Sequence, residues 1–142
     1  MKKYDWVGNF YGGRAGIRLG KKYGFIDLDG KEVVPLKYEE VGYFSEGRAR
    51  VQLGKKYGFI DKSGKEVVPL KYEEVGNFSE GRAGIRLGKK YGFIDKSGKV
   101  VVPPKYDWVG SFSEGRAGIK LNGKYGFIDL NGTETWDKKE DV

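Results

Sequence analysis

Asp27, Asp61, Asp95 and Asp129 recur at a spacing of 34 residues, each three residues ahead of a glycine. Paired or tuned carboxylates can do acid–base work, but that role needs a neighbour that shifts their pKa, and the local sequence offers none. A residue that returns four times at one place in a unit suits the shaping of a turn better than catalysis. Histidine and cysteine are absent. That removes imidazole bases, thiolate nucleophiles, zinc–thiolate sites and disulfides. Asp27-Leu28-Asp29-Gly30 has the start of a calcium loop, yet the third acidic ligand and the downstream glutamate are missing, and Ser63 and Ser97 replace Asp29 in later copies. Gly12-Gly13-Arg14-Ala15-Gly16 lacks the Lys-Ser/Thr of a phosphate loop. Ser-Glu-Gly is no nucleophile elbow. The expectation is a protein without catalytic residues, metal or cofactor.

Lysine and arginine number 27 against 20 acidic residues, a formal charge of +7. Arg14, Arg18, Arg48, Arg82, Arg86, Arg116 and Lys120 alternate with apolar residues and should share one strand face. Such rows could track the phosphates of a polyanion. The charge is nevertheless spread along the chain rather than gathered in a patch, which reads as solvated strand faces. Trp6 and Trp108 stand where the middle copies have Glu40 and Glu74, which marks the tryptophans for exposed contacts or caps. Glu46, Glu80 and Glu114 precede Arg48, Arg82 and Arg116 by two residues and could neutralise them. Arg14 has Gly12 in that place. Arg14 with Trp6 is therefore the expected ligand contact.

These residues are carried by four copies of one unit, covering 3–36, 37–70, 71–104 and 105–138, with a tail at 139–142. All belong to a single repeat domain, residues 1–142. Units two and three differ at six positions, among them Tyr43/Asn77 and Arg50/Gly84. That likeness fits recent duplication or deliberate consensus engineering. Ala15, Ile17 and Leu19 alternate with Arg14, Gly16 and Arg18, a period of two that specifies a strand. Tyr23 and Phe25 share the face of a second strand, and Lys31–Pro35 forms a third, which Pro35 ends for want of an N–H. Asp27–Gly30 supplies a turn, with Gly30 taking positive φ. In the connector Tyr38, Val41 and Phe44 recur every three residues, which suits a helical turn or a hooked loop. Gly58 should expose its bare Cα to another unit. Each unit reads as an antiparallel three-stranded meander in an all-β fold.

The unit resembles the WG-repeat family of bacterial tandem β repeats. In unit two the matching residues are Lys56-Tyr57-Gly58-Phe59-Ile60-Asp61, Gly64, Val67-Val68-Pro69, Tyr72 and Phe78-Ser79-Glu80-Gly81-Arg82-Ala83. Tyr23, Tyr57, Tyr91 and Tyr125 stand where that family usually has Trp. The resemblance implies binding or scaffold-like segments and no particular activity.

One small sheet cannot cover both its faces, so the units must stack. The expected architecture is an open, solenoid-like array of the four units. The alternative is a small closed propeller in which residues 3–10 complete the last unit; 34 residues is short for a blade of typically about 40 or more. The expected function is a non-catalytic scaffold that binds protein, peptide or glycan on an extended face, with weak, salt-sensitive polyanion binding as the second possibility. No stretch of about 18 apolar residues occurs and the N-terminus lacks an apolar leader core, so neither membrane insertion nor a signal peptide is expected, and the cytoplasm is the default.

Overall fold

A computed structural model describes residues 3–137. They form sixteen β-strands and no helix, arranged as four antiparallel four-stranded sheets in chain order. Sheet one holds β1 (Trp6–Tyr11), β2 (Arg14–Leu19), β3 (Lys22–Ile26) and β4 (Glu32–Tyr38). Sheet two holds β5 (Glu40–Val41), β6 (Ala49–Leu53), β7 (Lys56–Ile60) and β8 (Glu66–Tyr72). Sheet three holds β9 (Glu74–Val75), β10 (Arg82–Leu87), β11 (Lys90–Asp95) and β12 (Val100–Tyr106). Sheet four holds β13 (Trp108–Val109), β14 (Arg116–Leu121), β15 (Lys124–Asp129) and β16 (Glu134–Trp136).

Four strands per sheet replace the expected three. The extra strand comes from the connector: Glu40 and Val41 pair with Gln52 and Val51. Two residues are too few for a visible alternation, and the spacing of Tyr38, Val41 and Phe44 imitates a helical turn. Pro35 does not end its strand either. β4 runs on to Tyr38, because Tyr23 pairs with Tyr38 while Phe25 pairs with Val34, so Pro35 sits inside a bulge where no ladder donor is required. Gly58 shows how tight the equivalent bulge in β8 is. A Cβ on Gly58 would lie 2.3 Å from the Val68 carbonyl oxygen. The approach comes from the neighbouring strand of the same sheet, not from another unit as the alternation suggests.

The four turn aspartates hold their hairpins. Asp27 Oδ1 accepts from the amides of Asp29 and Lys31, and Asp61, Asp95 and Asp129 repeat the pair. Gly30, Gly64, Gly98 and Gly132 close the turns at φ of 82–91°.

Each core lies between sheets. Phe25, Val34 and Tyr38 of sheet one pack on Phe44, Ala49, Val51 and Ile60 of sheet two. The same set recurs between sheets two and three and between sheets three and four. Every inner sheet thus buries one face backward and one forward, which a single repeat could never do. At the centre of each joint two phenylalanines meet edge to face: Phe25–Phe44, Phe59–Phe78 and Phe93–Phe112, at 4.8, 4.7 and 4.8 Å.

A second line of contacts joins the Ser-Glu-Gly hooks. Ser45 Oγ donates to the Phe78 carbonyl and Ser79 Oγ to that of Phe112. The Glu46 carboxylate accepts from the amides of Glu80 and Gly81, each at 2.8 Å, and Glu80 accepts from Gly115. The sequence suggested these glutamates would neutralise the arginine two residues on. The Glu46 and Glu80 carboxylates reach the next hook instead, because a hook with two consecutive positive-φ residues turns its amides outward.

Candidate functional site

Sheets one and two enclose a cleft of about 440 Å³ whose wall includes Trp6, Asn9, Tyr11, Arg14, Tyr43 and Arg50. β1 supplies Trp6, and the ring lies across Gly8 and Gly16, where side chains would collide with it. It meets Tyr23 edge-on at 6.0 Å. Tyr11, at the end of β1, tilts against Tyr43 of the next hook at 4.9 Å. The Tyr43 hydroxyl accepts from Asn77 Nδ2 in the hook beyond. From β6, the Arg50 stem crosses bare Gly42, and its Nε is buried without a hydrogen-bond partner among the described residues.

Trp6 and Arg14 therefore share one cleft, the pair that the sequence singled out. Arg14 also braces the fold: its Nε donates to the Lys62 carbonyl in the hairpin of sheet two. Arg48 makes the equivalent bond to Lys96 at 3.0 Å. Arg82 bonds the Gly81 carbonyl, and Arg116 stacks on the Phe127 ring at 4.0 Å. Arg18 and Arg86 curl onto the carbonyls of Gly20 and Gly88 and pair with Asp5 and Glu74. Lys120 lies over Tyr125, and Trp108 covers Gly110 and Gly118 on sheet four, away from the cleft. The arginines are thus distributed over all four sheets, and most are tied to backbone carbonyls.

Tyr11, Tyr43 and Arg50 escaped the sequence reading as site residues. The signal was present, since Tyr43 and Arg50 are two of the six places where units two and three differ. Only the fold shows that both differences face the same hollow as Trp6. The equivalent cleft between sheets three and four, lined by Glu74, Tyr91, Val109 and Ser111, is about 130 Å³. There the Glu74 carboxylate accepts from the Tyr91 hydroxyl and, with burial as the main cause, pushes that phenol above its usual range. A larger hollow of about 660 Å³ on sheet four is walled by Leu121–Tyr125, Glu134 and Trp136, and holds none of the arginines. Among the described residues no three acidic groups gather as a metal ion would require, and no helix is long and apolar enough to cross a membrane.

Residues 2–23, 23–57, 57–91 and 91–125 each match the WG containing repeat. The chain belongs to that family. In this WG-repeat chain the aromatic of the motif is Tyr, half-buried at Tyr23, Tyr57 and Tyr91 and exposed at Tyr125. No curated protein matches it in sequence. Among solved structures it is similar to the extracellular domain of the putative one component system BT4673 from B. thetaiotaomicron, at 9% identity and a TM-score of 0.48, covering 99% of this chain and 25% of that one. It is also similar to a streptogramin B lyase, at 16% identity and a TM-score of 0.47, covering 96% and 54%. A plant lectin from Cicer arietinum follows at 12% identity and 0.36, covering 99% and 92%. The chain spans a quarter and about half of the first two.

Proposed function

We propose that this WG-repeat protein is a non-catalytic scaffold that binds a peptide or glycan, with the cleft between sheets one and two as its site. The observation that supports this is convergence: Tyr11, Tyr43 and Arg50 each break the repeat, and all line the same hollow as Trp6 and Arg14. Residues that only hold units together have reason to repeat. Three aromatic rings beside two arginines suit a ligand with a flat apolar face and an anionic group. We also propose the open array, which the exposure of Phe10 and Phe127 at the two ends supports. The polyanion reading ranks second, because Arg14, Arg18, Arg48 and Arg86 already donate to backbone carbonyls.

The test substitutes residues that unit three itself carries, so the fold is kept: Tyr43→Asn with Arg50→Gly. Acidic aromatic peptides and uronic-acid oligosaccharides are titrated against both proteins, read by amide chemical shifts. Binding that shifts the cleft amides in the parent and is lost in the variant supports the site. Binding that survives in the variant, or shifts spread along all four sheets and fall steeply with salt, overturns it.

A further inference from the structure

The three joints between sheets are built alike, and the two ends of the chain carry the halves of one more. Phe10 occupies in sheet one the place of Phe44, Phe78 and Phe112, yet it is 44% exposed where those are buried. Phe127 occupies in sheet four the place of Phe25, Phe59 and Phe93, and is 36% exposed against at most 1% for them. Among the described residues each ring lacks the aromatic partner that the other would supply.

The polar contacts of the joint are split in the same way. Gly12 and Gly13 have φ of 59° and 79°, the conformation of Glu80 and Gly81, whose amides Glu46 binds. Glu114 is the next glutamate of that ladder, and among the described residues no hook lies beyond it. Leu28 is exposed in the hairpin of sheet one, at the position of Lys62 and Lys96, whose carbonyls receive Arg14 and Arg48. At the other end Arg116 rests on Phe127. The tyrosine slot raises no conflict: Tyr4 already fills it in sheet one, bonding Glu32 as Tyr38 bonds Glu66.

We propose that sheet four of one copy docks on sheet one of a second copy and rebuilds the inner joint. Phe127 meets Phe10 of the second copy edge to face, Glu114 accepts from its Gly12 and Gly13 amides, and Arg116 donates to its Leu28 carbonyl. The contact is heterologous, so copies add head to tail into rings or filaments.

Sedimentation velocity over a range of concentrations reads this directly, on the full chain and on Phe10→Ser and Phe127→Ser. Both rings are substantially exposed, so neither change removes a buried side chain, and melting curves verify the fold. The parent should grow with concentration, while each variant alone associates about tenfold or more weakly. An equimolar mixture of the two variants should form dimers and stop, because one retains a free head and the other a free tail. Glu114→Gln should weaken the parent's growth. A compact monomer at every concentration, as closure of the chain on its own ends would give, overturns the proposal. Growth of either variant alone as strong as the parent's does so too, since it means like ends pair.

Discussion

The buried hydroxyl of Tyr72 has no hydrogen-bond partner among the described residues, and Val100 stands 28 residues on, where its counterparts find glutamate. Tyr4, Tyr38 and Tyr106 each bond a glutamate at that spacing, Glu32, Glu66 and Glu134. Burial first, and the glutamate bond second, push the Tyr38 and Tyr106 phenols far above their usual range. Tyr72 bears the burial without the bond.

Val100→Glu should therefore stabilise the protein by about 1 kcal/mol, a few degrees in melting temperature. The reciprocal change Glu66→Val should cost a similar amount by stranding Tyr38. Thermal melts of both variants check the pair. A Val100→Glu protein that melts no higher than the parent contradicts the role given to these glutamates.

Gly58→Ala should destabilise by about 1–3 kcal/mol, because the added methyl strikes the backbone of Val68 and Pro69 rather than a movable side chain. Gly20→Ala makes a useful contrast: nothing lies within 4 Å there, but φ is +63° and the cost is only conformational, about 1 kcal/mol. Denaturant melts should rank Gly58→Ala as the costlier change. The reverse order would mean that the bulge in β8 yields.

Acid should weaken the hairpins of sheets two and three. The Ser63 hydroxyl is the main cause that holds Asp61 below the ordinary carboxylate range, helped by the amides of Lys65 and Ser63 and opposed by burial; Ser97 does the same for Asp95. A folded-state pKa below the unfolded one gives stability that is present above about pH 4 and is lost as the pH falls through the folded value. Ser63→Ala with Ser97→Ala should raise both midpoints in carboxyl-detected NMR titrations. Unmoved midpoints would remove the hydroxyls as the cause.

Glu46 sits at φ 54°, a conformation that costs a side chain about 1 kcal/mol and glycine nothing. Glu46→Gly should still lower the melting temperature, since the carboxylate bonds to Glu80 and Gly81 outweigh the strain. A rise on that substitution would show that strain relief wins and that the hook ladder contributes little.

The period of 34, the all-β class and the turn aspartates were legible because each rests on local chemistry repeated four times. The fourth strand was not, since Glu40 and Val41 are held by pairing with Gln52 and Val51 rather than by any preference of their own. Pro35 misled for a related reason. Its missing N–H forbids a ladder bond, and only the register shows that none is asked of it. The candidate cleft was half visible: Trp6 and Arg14 stood out by type, while Tyr43 and Arg50 read as scattered differences.

The sequence by itself determined most of the unit: three of its four strands, its turns and the apolar residues it must bury, because alternation and turn chemistry act over a few residues. The tertiary structure decided what each buried face meets. Phe25 finds Phe44 across a joint and Phe127 finds no aromatic partner among the described residues, though their local sequences are nearly the same. Burial in a repeat stack depends on the neighbouring unit, and position in the stack is a property no local pattern carries.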